Sequence, residues 1–288
     1  MEFLQSLSLD NFTGVITIMK FAAGAVFAMA CLLLALFFIT RKKGIETAGL
    51  VVFFTGWLVS AAIFVLSWVN VNYPPFSNMY HVLMSMGIFI PLLYLVVWLK
   101  DKHKFTHIFF AAAAVASLTG AIIMSVKNPA SMTKELMPAL QSNWFIPHVA
   151  AYVISYSLMA VAFLMTLLGF LLKACKQQTG AETLYTASFH VVKLSFPFMT
   201  FGLLSGAIWA GTIWGGAYWS WDIKETWALI LWSLYIVYFH CRLSNSFRKY
   251  ANLIQVLAFL ALIYTFILVN FRSNTNSLHT YSQAQSAK

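Results

Sequence analysis

The sequence predicts an all-α fold, a polytopic membrane helical bundle of about eight transmembrane helices. Three observations lead there. Of 288 residues, 61% are hydrophobic and only 9% are charged, where a soluble domain carries about 25% charged residues. Eight stretches reach the roughly 20 apolar residues that a helix needs to cross a bilayer: 15–40, 46–70, 79–99, 105–126, 148–172, 194–213, 226–241 and 251–270. Finally, the basic residues sort by side. Arg41, Lys42, Lys43, Lys100, Lys102, Lys104, Lys173, Lys176, Lys193, Arg242, Arg248 and Lys249 fall on one set of connections, against Lys127, Lys134, Lys224, Arg272 and Lys288 on the other.

Taken in order, the first stretch carries Lys20 near its outer end, where a long side chain can snorkel toward the interface. The second ends before the Pro74-Pro75 pair, and the third holds Pro91, which should kink it. Ala113, Ser117 and Ala121 form a small-xxx-small ladder on the fourth, and Gly202, Gly206 and Ala210 form another on the sixth. Such ladders let helices approach closely in lipid. Pro197 should kink the sixth. The seventh is short unless it begins within the preceding loop or runs past His240. The longest connections expected are 127–147 and 173–193. No soluble domain fits between the helices, so residues 1–288 read as a single membrane domain with a polar tail at 271–288. There is no internal repeat.

A membrane protein collects Lys and Arg on its cytoplasmic loops. The formal net charge of +10 therefore needs no nucleic acid as partner. The same rule places both termini outside the cytoplasm. Cys31, Cys175 and Cys241 are widely separated and suggest neither a disulfide nor a CxxC redox site. The segment 1–12 is polar and acidic, without the basic start of a cleaved signal peptide.

The densest chemistry lies in 214–227, Trp-Gly-Gly-Ala-Tyr-Trp-Ser-Trp-Asp-Ile-Lys-Glu-Thr-Trp. Trp214, Trp219, Trp221 and Trp227 crowd one connection together with Asp222, Lys224 and Glu225. An interfacial aromatic belt spreads one or two aromatics per helix end. This concentration reads instead as a platform for a planar apolar ligand. Such a ligand needs an anchor among the seven His. His103, His107 and His190 read as solvated or interfacial. His81, after Pro-Phe-Ser-Asn-Met-Tyr80, either caps the third helix or faces a ligand. His148 begins the fifth helix and shares a face with Tyr152 and Tyr156 at four-residue spacing; the plainer reading is a core His bonded within the bundle. His279 lies in the tail, on the same side as His148 and the Trp loop. Two neutral imidazoles flanking an aromatic platform would suit a six-coordinate haem iron. His240 sits near the inner end of the seventh helix, at a depth where a His is costly unless partnered.

Trp-Ser-Trp-Asp-x-Lys-Glu-Thr-Trp227 with Tyr-Phe-His-Cys-Arg242 resembles the tryptophan-rich haem-handling motif of the cytochrome c assembly proteins. The likeness is to the CcsA/ResC-type subunit of the System II cytochrome c synthase. It extends to Gln-Ser-Asn-Trp-Phe-Ile-Pro-His148, to Pro-Phe-Ser-Asn-Met-Tyr80 and to Leu-His279-Thr-Tyr281. The resemblance implies that His148 and His279 are axial ligands of an external haem held against Trp214, Trp219, Trp221 and Asp222. It implies that His240 ligates haem within the membrane. In two places the sequence departs from the family. One residue more than usual separates Trp214 from Trp219, and Ile223 stands where the family often has Pro, which should loosen the turn after Asp222.

The resemblance further implies haem b as both ligand and substrate, presented for attachment to the thiols of a Cys-x-x-Cys-His sequence in apocytochrome c. No catalytic acid–base residue is expected. Positioning supplies much of the barrier reduction. The chain would then be part of a cytochrome c haem lyase (holocytochrome c synthase) complex in the inner, cytoplasmic membrane. Its partners would be a ResB-type membrane subunit, which carries the large extracytoplasmic domain, together with apocytochrome c and thiol reductants of the assembly pathway. Two other readings stand beside this one: a HemX-type haem sensor or regulator without synthase activity, and a plain haem transporter.

Overall fold

The computed structural model describes residues 9–101, 105–127, 136, 138–213 and 218–269. Trp214, His279 and His103 lie outside the described residues. The described residues form α1 (Leu9–Thr40), α2 (Lys43–Val71), α3 (Met79–Asp101), α4 (His107–Lys127), α5 (Phe145–Ala174), α6 (Gln178–Ile213), α7 (Ile223–Leu243) and α8 (Arg248–Ile263), and with the turn that extends α8 to Leu268 they give eight spans long and apolar enough to cross a membrane. A π-helical turn, Tyr264–Leu268, continues α8, and a 3-10 turn, Pro138–Gln141, precedes α5.

The chain divides into two compact units, residues 1–136 and 137–288. In the first, α1 packs on α2, α2 on α3, α3 on α4, and α4 back on α1, an up-and-down ring of four. Its seam is visible residue by residue. Ile16, Lys20, Ala23, Phe27, Ala30 and Leu34 of α1 are buried, alternating by four and three as a left-handed helix pair requires. The facing stripe of α2 is small: a Cβ on Gly56 would sit 3.1 Å from the Phe27 ring, and one on Gly49 would sit 2.7 Å from Leu34. Ile18, Leu32 and Ile39 on the opposite face of α1 are exposed, as a lipid-facing surface should be. Lys20 departs from expectation. It is buried rather than snorkelling, because its Nζ donates to Ser125 Oγ of α4 at 2.8 Å and lies over the Tyr80 ring. His107 also departs. It is fully buried against Phe37 and Phe38, not solvated.

The second unit repeats the ring: α5 on α6, α6 on α7, α7 on α8, and α8 back on α5. The connection expected at 173–193 is helix almost throughout. α6 begins at Gln178 and runs 36 residues with Pro197 inside it, about 54 Å of helix. Its polar first half is held by burial. Ala181, Leu184, Tyr185, Ala187 and Ser188 face inward, and the Tyr185 ring lies on Gly169 of α5. Thr166, Ser188 and Gln255 tie α5, α6 and α8 through hydrogen bonds of 2.8–3.1 Å. A buried polar group left unpaired would destabilise the bundle; within this triad each group finds a partner.

Candidate functional site

His148 enters the structure one turn into α5. Phe145 is buried beneath it, and Ser142 Oγ accepts from the Trp144 N–H at the helix start. The imidazole crosses to α6, where Nδ1 lies 2.8 Å from the carbonyl oxygen of Gly202. Only a nitrogen bearing hydrogen can bond a carbonyl, so Nδ1 is protonated and the lone pair sits on Nε2. This is the tautomer a metal-ligating imidazole needs, fixed by a second partner. Gly206 makes the approach possible. A Cβ there would fall 2.6 Å from His148 Cε1 and 2.8 Å from Nδ1. Tyr152 meets the imidazole edge-on at 5.0 Å and itself lies on Gly202, while Trp209 faces the other side at 5.5 Å. Phe145 packs on Trp209, Tyr152 on Tyr156, and Tyr156 on Phe266 of the π turn. The Gly ladder, which the sequence offers only as a packing device, is therefore the seat of the candidate ligand. Gly202 supplies its carbonyl and Gly206 its empty face.

The Trp loop is described from Tyr218 onward. Trp221 is 69% exposed and has φ 59, a left-handed backbone that a bulky residue seldom adopts. Trp219 stands beside it at 5.9 Å, the two rings nearly perpendicular. The conformation is held from below by the start of α7. Asp222 is the N-cap: its Oδ1 accepts from the Lys224 N–H at 2.8 Å, and Glu225 Oε2 accepts from the Asp222 N–H at 3.3 Å. This capping box satisfies donors that a helix start otherwise leaves open. Glu225 Oε2 also accepts from the Ser220 N–H and hydroxyl, and the Thr226 hydroxyl donates to the Trp221 carbonyl. The Trp-Ser-Trp-Asp-x-Lys-Glu-Thr spacing thus has a local reason: Ser220, Asp222, Glu225 and Thr226 fold the loop so that Trp221 projects from it while Trp219 stays half-buried, its indole nitrogen turned inward. Ile223 does not loosen the turn, since it is the first residue of α7 and the box closes around it. Tyr218 rests against Gly211. Farther along, Trp227 packs on Tyr264 at 4.2 Å, and Trp232 donates to Thr200 while stacking on Phe196.

His240 occupies the last turn of α7 and is exposed. Its Nδ1 bonds the Ile236 carbonyl one turn back at 2.8 Å, which again leaves the lone pair on Nε2. Nearby, Arg242 and Lys193 lie over the Phe189 ring at 5.0 and 5.6 Å.

His148, Trp219, Trp221, Asp222 and His240 all fall in the second unit, and none of the described residues form a multi-ligand metal cluster. A haem iron needs only one or two axial imidazoles and an apolar setting for the macrocycle. Each imidazole fits such a group singly: His148 at the start of α5 and His240 in the last turn of α7 each present Nε2, and the exposed Trp221 offers an apolar face.

Residues 76–275 match the family described as "Cytochrome C assembly protein". The chain is 32% identical over 233 residues to a protein named "Cytochrome c biogenesis protein CcsA" from Chlamydomonas reinhardtii, spanning 78% of this chain and 65% of the relative. A protein of the same name from Guillardia theta is 30% identical over 244 residues, 74% of this chain and 78% of the relative. One from Microcystis aeruginosa is 28% identical over 303 residues, 84% of this chain and 88% of the relative.

Proposed function

This chain belongs to the cytochrome C assembly protein family, and on that premise we propose that it receives haem b in the membrane and presents it for attachment to apocytochrome c. The observation that carries this reading is the seating of His148. Its Nδ1–H is fixed on the Gly202 carbonyl and its ring lies over Gly206, so Nε2 is the nitrogen offered to iron. His279 is the second axial ligand of the external site. It lies ten chain steps beyond Val269, enough to span roughly 35 Å if extended. The end of α8 is moored near the His148 stripe through Phe266 and Tyr156. Trp214, Trp219 and Trp221 face the macrocycle, and Asp222 holds the loop that carries them. His240 ligates haem at the inner end, with the opposing ligand supplied by a ResB-type partner subunit.

The attachment step adds each cysteine S–H across a haem vinyl C=C. A C–S bond and a C–H bond form, and nothing leaves. The chain's own residues contribute position: two imidazoles protect the iron until the His of the incoming Cys-x-x-Cys-His replaces one, and the indoles exclude water.

The test is substitution of His148 or His279 by Gly in cells expressing an apocytochrome. Attachment should be lost, and added imidazole should restore part of it by filling the vacant coordination position. Wild-type attachment in both variants would refute the ligand assignment. The orientation follows the basic-residue bias, with both termini and the Trp loop outside. Reporter fusions at Lys102 and Lys224 should give opposite signals, and the reversed pattern would overturn the external placement of the site.

A further inference from the structure

We propose that Lys193 and Arg242, gathered on the Phe189 ring at one end of the second unit, hold the phosphate of an anionic phospholipid. The Arg242 guanidinium lies 5.0 Å and the Lys193 ammonium 5.6 Å from the centroid of that ring. Phe189 is a fixed platform. Tyr238 and Phe239 of α7 meet it edge-on at 6.2 and 6.1 Å, and Tyr238 is fully buried. An aromatic face attracts a cation, but two cations on one ring repel each other. Among the described residues of this unit no carboxylate stands close enough to relieve that repulsion. Asp222 and Glu225 lie at the other end of α7, and Glu182 is about 16 Å from Lys193 along α6. Arg242 is half-buried and Lys193 exposed, so an anion can reach both from outside the bundle.

Depth and chemistry select the anion. From Ile213, one end of α6, to Lys193 is about 30 Å of helix, and from Ile223, the first residue of α7, to Arg242 is about 28 Å. The hydrocarbon core of a bilayer is about 30 Å thick. Both cations therefore emerge at one level, where acyl chains end and headgroups begin. The anion abundant at that level is a phospholipid phosphate. It can accept two parallel N–H bonds from the guanidinium fork and another from the ammonium. Basic pockets between membrane helices bind anionic headgroups. The carboxylates of a haem on His240 are the other candidate, and helix geometry argues against them. His240 and Arg242 are two residues apart on α7 and point to nearly opposite sides. The lipid site is thus separate from the haem site proposed above and stands or falls without it. One lipid bridging the two cations ties α6 to α7 at this level.

Native mass spectrometry of the purified full chain, titrated in detergent with phosphatidylglycerol or phosphatidylcholine, tests this. The wild-type chain should retain one phosphatidylglycerol in preference to phosphatidylcholine. Lys193→Gln with Arg242→Gln should weaken that retention roughly 30-fold, the value of two basic residues at a membrane surface. Should the double variant fail to fold, Lys193→Gln alone, at an exposed position, should weaken it about fivefold. Lys193→Arg should keep it. Arg248→Gln with Lys249→Gln removes the same charge from positions farther along the chain and should leave retention nearly unchanged. Equal weakening in the two double variants, or no preference for phosphatidylglycerol in the wild-type chain, would overturn the site. So would displacement of the lipid by haem but not by haem dimethyl ester, which would make the bound anion a haem carboxylate.

Discussion

His148 and His240 are alike in one respect and opposite in another. Both hold Nδ1 against a backbone carbonyl at 2.8 Å, and both therefore present Nε2. For His148 the carbonyl belongs to another helix, 54 residues on, and the ring is walled by Tyr152, Trp209 and the bare face of Gly206. For His240 the carbonyl is its own helix's, one turn back, and the ring is exposed. The first imidazole is preorganised by tertiary structure; the second is aimed by local geometry alone and is completed only by what covers it. A site whose ligand is held this way from within should tolerate little change beneath the ring. A site open to its surroundings should be nearly indifferent to its neighbours until a partner arrives.

Gly206→Ala tests the first half of that contrast and should give the largest effect. The new Cβ cannot coexist with the imidazole where it lies, so the ring must turn and release Gly202. Loss of the partner that orients a metal-bound imidazole costs about 10–100-fold in affinity, and a haem titration followed by absorbance should show a fall of that order. Gly14→Ala is the control. Nothing lies within 4 Å of its Cβ, and affinity should not change. Equal haem affinity in both variants would mean that the seat of His148 is packing without consequence.

The Trp loop lies between these extremes, and Asp222 measures how much of its shape comes from the cap. Asp222→Ala should cost about 1 kcal/mol, the usual value of an N-cap, read as a lower unfolding midpoint. Haem occupancy should drop with it, as Trp221 leaves its left-handed backbone. Asp222→Asn keeps the cap and should retain both. If Asp222→Ala lowered occupancy without lowering the midpoint, Asp222 would be touching the ligand and not shaping the loop.

These residues also mark how far the sequence could be read. The eight helices were legible because lipid imposes a length and a composition that no soluble fold shares. His148 and Asp222 stood out by residue type and spacing. The continuity of α6 through 178–193 was not legible, because the apolar count there is low and burial against Gly169, Thr166 and Gln255 supplies what hydropathy lacks. Lys20 and His107 read as interfacial because charge suggests water, whereas each is held inside by neighbours from distant parts of the chain. The cap at Asp222 is present in the sequence as an Asp with a Glu three residues on, the signature of a capping box, set among tryptophans that give the same stretch a second meaning.

His240→Ala should have the smallest effect on this chain alone, and for that reason it is the sharpest probe of the contrast. The side chain is exposed and its ring bonds a carbonyl of its own helix, so truncation should change stability by no more than about 0.5 kcal/mol. An exposed imidazole offers iron one ligand and no wall. Haem bound by the isolated subunit should therefore be set by His148 and remain near the wild-type level in His240→Ala. In the complex with a ResB-type partner the outcome should reverse, because a ligand and an apolar wall from that subunit would close the inner site, and removing His240 should empty it. Haem content and the low-spin absorbance bands, measured in both preparations, separate the cases. Loss of a low-spin haem from the isolated subunit on His240→Ala would show that this chain completes the inner site by itself, and His190 on the adjacent α6 would become the residue to substitute next.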